Sequence, residues 1–131
     1  MGMNIEVKTS QETELVDIRG SVQEVVSGAG VEDGLCVICT HHTTTGIIVN
    51  ENEARLKEDI LSMLDKIVPK GAGYQHDQID NNAHSHLKAI LLGSSATIPI
   101  KSGSLVLGTW QSVFLVELDG PRNRTVHVSV R

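Results

Sequence analysis

Six histidines carry most of the chemistry this chain can offer, and five of them stand where a scaffold would present them. His41 and His42 close a predicted apolar strand, His76 lies in a long polar loop, and His84 and His86 open a predicted helix. Binding and catalytic groups usually sit at such element ends. Imidazole ligates zinc and other late first-row divalent metals, and three histidines plus a water make an open, reactive metal site. Strand neighbours point to opposite faces, so only one of His41 and His42 enters a given site. In a helix His84 and His86 are about 200° apart, so only one aims at a given ion. His84 lies closer to the Leu87/Leu91 stripe, and the helical wheel does not choose between the two. His127 alternates with Val126 and Val128 and belongs to a solvated strand face.

Other side chains would complete such a site. Asn50, Glu51 and Glu117 can orient ligands or exchange protons. The hydroxyls of Thr43, Thr44 and Thr45 adjoin His42, and Arg122 and Arg124 can meet a phosphate. Each also has a plain structural role: the start of a helix, a strand end, a solvated turn. Trp110 reads as a core or interface anchor, and Gly108 beside it permits close backbone approach.

The elements that must position these groups follow from periodicity. Residues 4–7 and 14–18 read as short strands, and Ser21 as the cap of a helix carrying Val22, Val25, Val26 and Ala29. Residues 35–40 are apolar on both faces, which predicts a central strand covered on both sides. Ile47 to Val49 forms another short apolar run. Residues 53–68 give the clearest helix, with Leu56, Ile60, Met63, Leu64 and Ile67 on one stripe, Asn52 as cap and Pro69 as stop. Residues 69–82 read as an ordered loop and 83–92 as a short helix, with Asn82 as its cap. Strands at 97–100 and 105–107 flank one turn, and strands at 113–118 and 125–130 flank another. The expected class is α+β: one domain over 1–131, a largely antiparallel sheet packed with two or three helices.

Composition narrows the function. A formal charge of −5 excludes a general nucleic-acid binder, which would present a basic surface. No run approaches the roughly 20 apolar residues of a membrane span, and the first residues lack a signal peptide's apolar stretch. Cys36 and Cys39 fall on opposite faces of one strand and read as small buried residues rather than a redox pair. A cytoplasmic, membrane-free protein is expected.

The run His42-Thr43-Thr44-Thr45-Gly46, followed by Val49-Asn50-Glu51-Asn52-Glu53, resembles the hallmark of the YjbQ-like family, also called the secondary thiamine-phosphate synthase family. The likeness continues through Tyr74-Gln75-His76-Asp77, Ala83-His84-Ser85-His86-Leu87, Leu107-Gly108-Thr109-Trp110-Gln111 and Glu117-Leu118-Asp119-Gly120-Pro121-Arg122. It implies a YjbQ-like α+β fold, a homotrimer, and histidines gathered around a metal or anion site. The family's characteristic histidines fall on His42, His76 and His86, which become the expected ligands of a divalent metal, zinc before others. His41 and His84 fall where the family accepts other residues. The expected function is then a metal-binding enzyme with thiamine-phosphate synthase-like activity on small phosphorylated metabolites. Expelling pyrophosphate usually employs Mg²⁺ and oxygen ligands, whereas histidines favour softer ions. A metal-dependent hydrolase of a small phosphorylated metabolite and a non-catalytic metal-binding trimer therefore stand beside it.

Overall fold

Alternating apolar residues build two antiparallel sheets, and the computed structural model, which describes residues 1–131, stacks them face to face. In chain order the elements are β1 (Gly2–Lys8), β2 (Glu14–Asp17), α1 (Arg19–Ala29), β3 (Gly34–Thr40), β4 (Thr45–Glu51) and α2 (Ala54–Ile67). A 3₁₀ turn (Gln75–Gln78) leads to α3 (Ala83–Leu92), β5 (Ser95–Lys101), β6 (Ser104–Leu105), β7 (Gln111–Glu117) and β8 (Asn123–Val130). The large sheet runs β1-β8-β3-β5-β6 and the small one β2-β7-β4.

Between the sheets lies the main core. Val126, Val128 and Val130 of β8 and Cys36 and Ile38 of β3 meet Ile47, Val113 and Leu115 from the small sheet. Val22, Val25 and Val26 of α1 join the same cluster. Each such side chain contributes about 1.5–3 kcal/mol on burial, so this layer dominates stability. The small sheet is covered on its second face as well, where Phe114 and Val116 pack with Ala89 of α3 and with Ile60 and Leu61 of α2. The molecule is therefore three layers: sheet, sheet, helices.

The doubly covered strand is β7 rather than β3. Leu35 is 50% exposed and Val37 36%, because the outer face of the large sheet carries no helix in a single chain. β7 and β8 are not hairpin partners either: β7 pairs with β2 and β4, and β8 with β1 and β3. The turn between them crosses from one sheet to the other, which hydropathy alone does not disclose. The β5–β6 hairpin forms as expected, with Ile100 opposite Leu105. On α2 only Leu64 is fully buried, and Met63 and Ile67 face outward at 48% and 59% exposure. Its cap is Glu53, whose carboxylate accepts the Leu56 N–H at 2.6 Å, while Asn52 donates instead to Asp17. No helix is long and apolar enough to cross a membrane.

One close approach sets the site. A Cβ on Gly46 would lie 2.8 Å from the Cβ of Leu92, so only glycine lets β4 run this near the end of α3. Ile47 N–H then donates to Gly93 O at 3.1 Å and Thr40 N–H to Ser94 O at 2.9 Å. The helix bearing His86 is thereby fixed beside the loop bearing His42.

Candidate functional site

The loop between β3 and β4 holds His41, His42, Thr43 and Thr44, and its ends are tied. The hydroxyls of Thr40 and Thr45 lie 2.8 Å apart, and the His42 N–H donates to Thr40 Oγ1 at 3.3 Å. Facing this loop is the crossover from β7 to β8, and the N-terminus of α3 closes the third side. Asn82 joins them: its amide donates to Asp119 Oδ2 at 3.0 Å, and its Oδ1 lies 3.1 Å from His76 Nε2. Asn82 holds the cap position of α3 as expected, but its side chain makes no capping bond; Asp77 Oδ1 accepts the Ala83 N–H, at 3.0 Å. His76 meets His86 edge to face, ring centres 4.8 Å apart.

Two adjoining cavities result. A polar one of about 430 Å³ is lined by His42, Thr43, Thr44, Asn82, Asp119, Arg122 and Arg124. A more apolar one of about 490 Å³ runs along Thr40, Thr45, Ala89, Ile90 and Gly93. His41, His42, Thr43 and His86 belong to both and form their common wall. His41 thus enters the site that strand alternation assigned to one histidine, because both rings have left the strand for the loop. Its ring stacks on His127, centres 6.0 Å apart.

Beneath the polar cavity sits a buried ion pair. Arg124 donates from Nε to Glu117 Oε1 at 2.8 Å and from Nη2 to Oε2 at 2.5 Å, and Nη2 also reaches Thr44 Oγ1 at 2.9 Å. Thr9 Oγ1 and the N–H groups of Leu118 and Asp119 complete the shell of Glu117. Burial pushes the Glu117 carboxyl up, yet Arg124, Thr9 and the Asp119 N–H outweigh it and hold it below the usual carboxylate value. With both oxygens committed, Glu117 positions Arg124 and is no free acid or base. Arg122 is more exposed and is held by Asp119, through its carbonyl at 2.8 Å and its carboxylate at 3.2 Å.

Two expected participants lie elsewhere. In the β4–β7 pair Thr45 stands opposite Glu117, whereas Glu51 stands opposite Gln111. Six residues of strand separate the ends, about 20 Å. Asn50 and Glu51 are therefore at the far end of the sheet, where Asp17 Oδ2 gathers Asn52 and Ser112 and the 73%-exposed Trp110 sits nearby. Trp110 is no core anchor. His84 faces away from both cavities; it is buried, its Nδ1 has no partner, and Lys88, buried one turn along α3, reaches Asp65. Sequence reasoning missed Asp119 and Thr9, and read Asn82 only as a cap; nothing in a lone turn residue signals such a role.

The three expected ligands do not make a ready metal cage. No three His, Cys, Asp or Glu side chains converge in a metal-holding arrangement. His76 and His86 come together, but His42 Nε2 already accepts the N–H of Thr125 at 3.0 Å. Two guanidiniums, an amide, hydroxyls and imidazoles line the polar cavity, with the carboxylates of Asp80 and Asp119 beside them.

Two histidines, His42 in the site and the buried His84 outside it, have their charged form disfavoured. Burial and then the Arg124 charge lower the pKa of His42, with His41 adding to them against Glu117 and Glu6. Burial, Lys88 and Lys70 lower that of His84 against Glu12 and Asp77. A histidine whose folded pKa lies below its unfolded value stabilises the fold above the ordinary 6.5, and that contribution is lost as pH falls through the folded value. Glu117 adds a second loss lower down, below its ordinary 4.5. The melting temperature is thus expected to fall in two stages below neutrality, and to fall again above the ordinary 9.0 of a thiol, since burial pushes Cys36 up to about 11. His84→Leu should flatten the first stage and raise neutral stability by about 1 kcal/mol, since it removes an unpaired buried nitrogen. A melting temperature constant from about pH 7.5 to about pH 5 would contradict this assignment.

Comparison with known proteins agrees over the whole chain. The family model described as "UPF0047 protein YjbQ-like" matches residues 3–131. A UPF0047 protein of Methanothermobacter thermautotrophicus is 52% identical over 124 residues, covering 95% of this chain and 87% of that protein. The UPF0047 protein YugU of Bacillus subtilis is 32% identical over 130 residues, 96% of each. Among solved structures, a YbjQ-like protein of unknown function from Sulfolobus solfataricus superposes with a TM-score of 0.97 at 42% identity, covering 99% of this chain and 95% of that one. A hypothetical protein from Aeropyrum pernix also gives 0.97, at 40% identity and 100% and 98% coverage.

Proposed function

The chain belongs to the UPF0047, YjbQ-like family, and from that membership and the paired cavities we propose that it is an enzyme acting on a small phosphorylated metabolite. One observation carries the reading: His42, Thr43 and His86 wall both an arginine-bearing polar cavity and a larger apolar one. A phosphate between Arg122, Thr43 and His42 would leave the rest of the molecule lying along Ala89 and Ile90. Charge developing on phosphate oxygens is then met by fixed donors. His86, at the junction, is placed to exchange a proton with an attacking or departing oxygen.

Two reactions fit this description. The family resemblance points first to thiamine-phosphate synthase-like transfer, in which a thiazole phosphate displaces pyrophosphate from a pyrimidine. Hydrolysis of a phosphate ester is the second, and it requires donors for one phosphate group alone. The test is product formation from the two thiamine precursors, beside a panel of phosphate monoesters, each with and without Zn²⁺, Mn²⁺ or Mg²⁺. Product in either arm names the reaction; silence in both at high enzyme concentration would end the proposal. A cytoplasmic setting suits the two free cysteines.

We further propose that the protein self-associates, as a homotrimer on the family resemblance. Met63, Ile67, Ile90 and Leu91 lie exposed on the helical layer, and Leu35 on the large sheet. Apolar patches left bare on one copy often mark an interface with another. Sedimentation should give a trimer, and Ile67→Glu should weaken it; a wild-type monomer at micromolar concentration would refute it.

A further inference from the structure

We infer that the main chain of β8 locks His42 as its Nδ1–H tautomer, which makes it a fixed donor to a bound oxyanion and bars it from ligating a metal or taking a proton. This deepens the pocket reading above and rests on it for the identity of the ligand. The β3–β8 ladder ends with Thr40 opposite Val126. The next residue on β8 is Thr125, and its N–H goes to the His42 ring, at Nε2. A hydroxyl or amide partner could reverse its role, but a peptide N–H can only donate. Nε2 must therefore present a lone pair, and in the neutral ring the proton sits on Nδ1. A doubly protonated ring would set two N–H groups against each other. A metal at Nε2 would have to displace the strand amide, and one at Nδ1 would find no lone pair.

What remains is a donor rigidly held beside Thr43, Arg122 and Arg124 on the polar cavity. That selects an acceptor-only ligand group, a phosphate or carboxylate. His76 is engaged with Asn82 and lines neither cavity, and His41 is stacked on His127, so the proton-exchanging ring of the pocket is His86.

The tautomer is read directly by long-range ¹H–¹⁵N correlation on the intact protein at neutral pH. The expected pattern for His42 is a protonated Nδ1 and an unprotonated Nε2, unaltered by one equivalent of Zn²⁺. A protonated Nε2, a rapid mixture, or a zinc-induced change at His42 would overturn the inference. Inorganic phosphate should then shift the Nδ1–H signal. If the tautomer is as stated but saturating phosphate moves no histidine signal, the donor role falls together with the phosphate reading, while the lock stands. Two variants divide the ring's functions. His42→Gln keeps an oxygen near the Nε2 position for Thr125 and should melt close to wild type while binding phosphate about tenfold more weakly. His42→Asn keeps the nearer donor and should bind phosphate more tightly than His42→Gln. The reverse order of affinities would overturn the donor role.

Discussion

Glu117→Leu should destabilise the protein by about 3–5 kcal/mol, because it leaves the Arg124 guanidinium buried and unpaired. Arg124 is only 4% exposed and Glu117 0%, so water cannot replace the lost partner. Thr9 and the N–H groups of Leu118 and Asp119 lose their acceptor at the same stroke. Against a total stability of about 5–15 kcal/mol, this brings a domain near unfolding at growth temperature. Replacing both partners, Glu117→Leu with Arg124→Met, should recover the part of the loss that comes from the stranded charge, while Thr9 and the two N–H groups stay without their acceptor. Urea titration decides it: the midpoint should drop sharply in the single variant and return part of the way in the double one, with the slope unchanged. A single variant within about 1 kcal/mol of wild type would show that the pair is far better hydrated than its burial indicates.

His86→Ala is the second large effect. If His86 exchanges the proton, turnover of the substrate found in the assays above should fall about 10²–10⁴-fold. Phosphate affinity should change far less, because Arg122, Thr43 and His42 remain. His76→Ala should cost less than His86→Ala, since its ring touches His86 and not the cavities. His84→Leu serves as the control on the same helix: it lies two residues away on another face, and turnover should stay within about tenfold of wild type. Full turnover in His86→Ala would remove the acid–base role and leave only binding.

The sequence disclosed elements better than their partners. Strand alternation in β8 and the turn before β6 are local properties, and both were legible in the run of residues. Which sheet a strand joins is not local: β7 and β8 are separated by one turn yet lie in different layers. Met63 and Ile67 obeyed the helical stripe of α2 and still remained outside, at 48% and 59% exposure. The site divides in the same way. His42, Thr43, Thr44, His86, Arg122 and Arg124 were identifiable by type and do share a cavity. Asn50 and Glu51 follow His42 closely in sequence, and the straightness of β4 carries them away from it. The availability of a nitrogen on His42 could not be read at all, because its partner is an amide 83 residues distant.

That distance has a consequence for synthesis. β8 is central, bonded to β1 on one edge and β3 on the other, and it supplies both Arg124 and the amide that orients His42. A ribosome delivers it after both of those neighbours. Until it emerges, β1 and β3 have no common neighbour and the histidine loop has no floor. The Glu117–Arg124 pair and the orientation of His42 should therefore form together, in one event, when β8 zips between two strands that have been waiting for it.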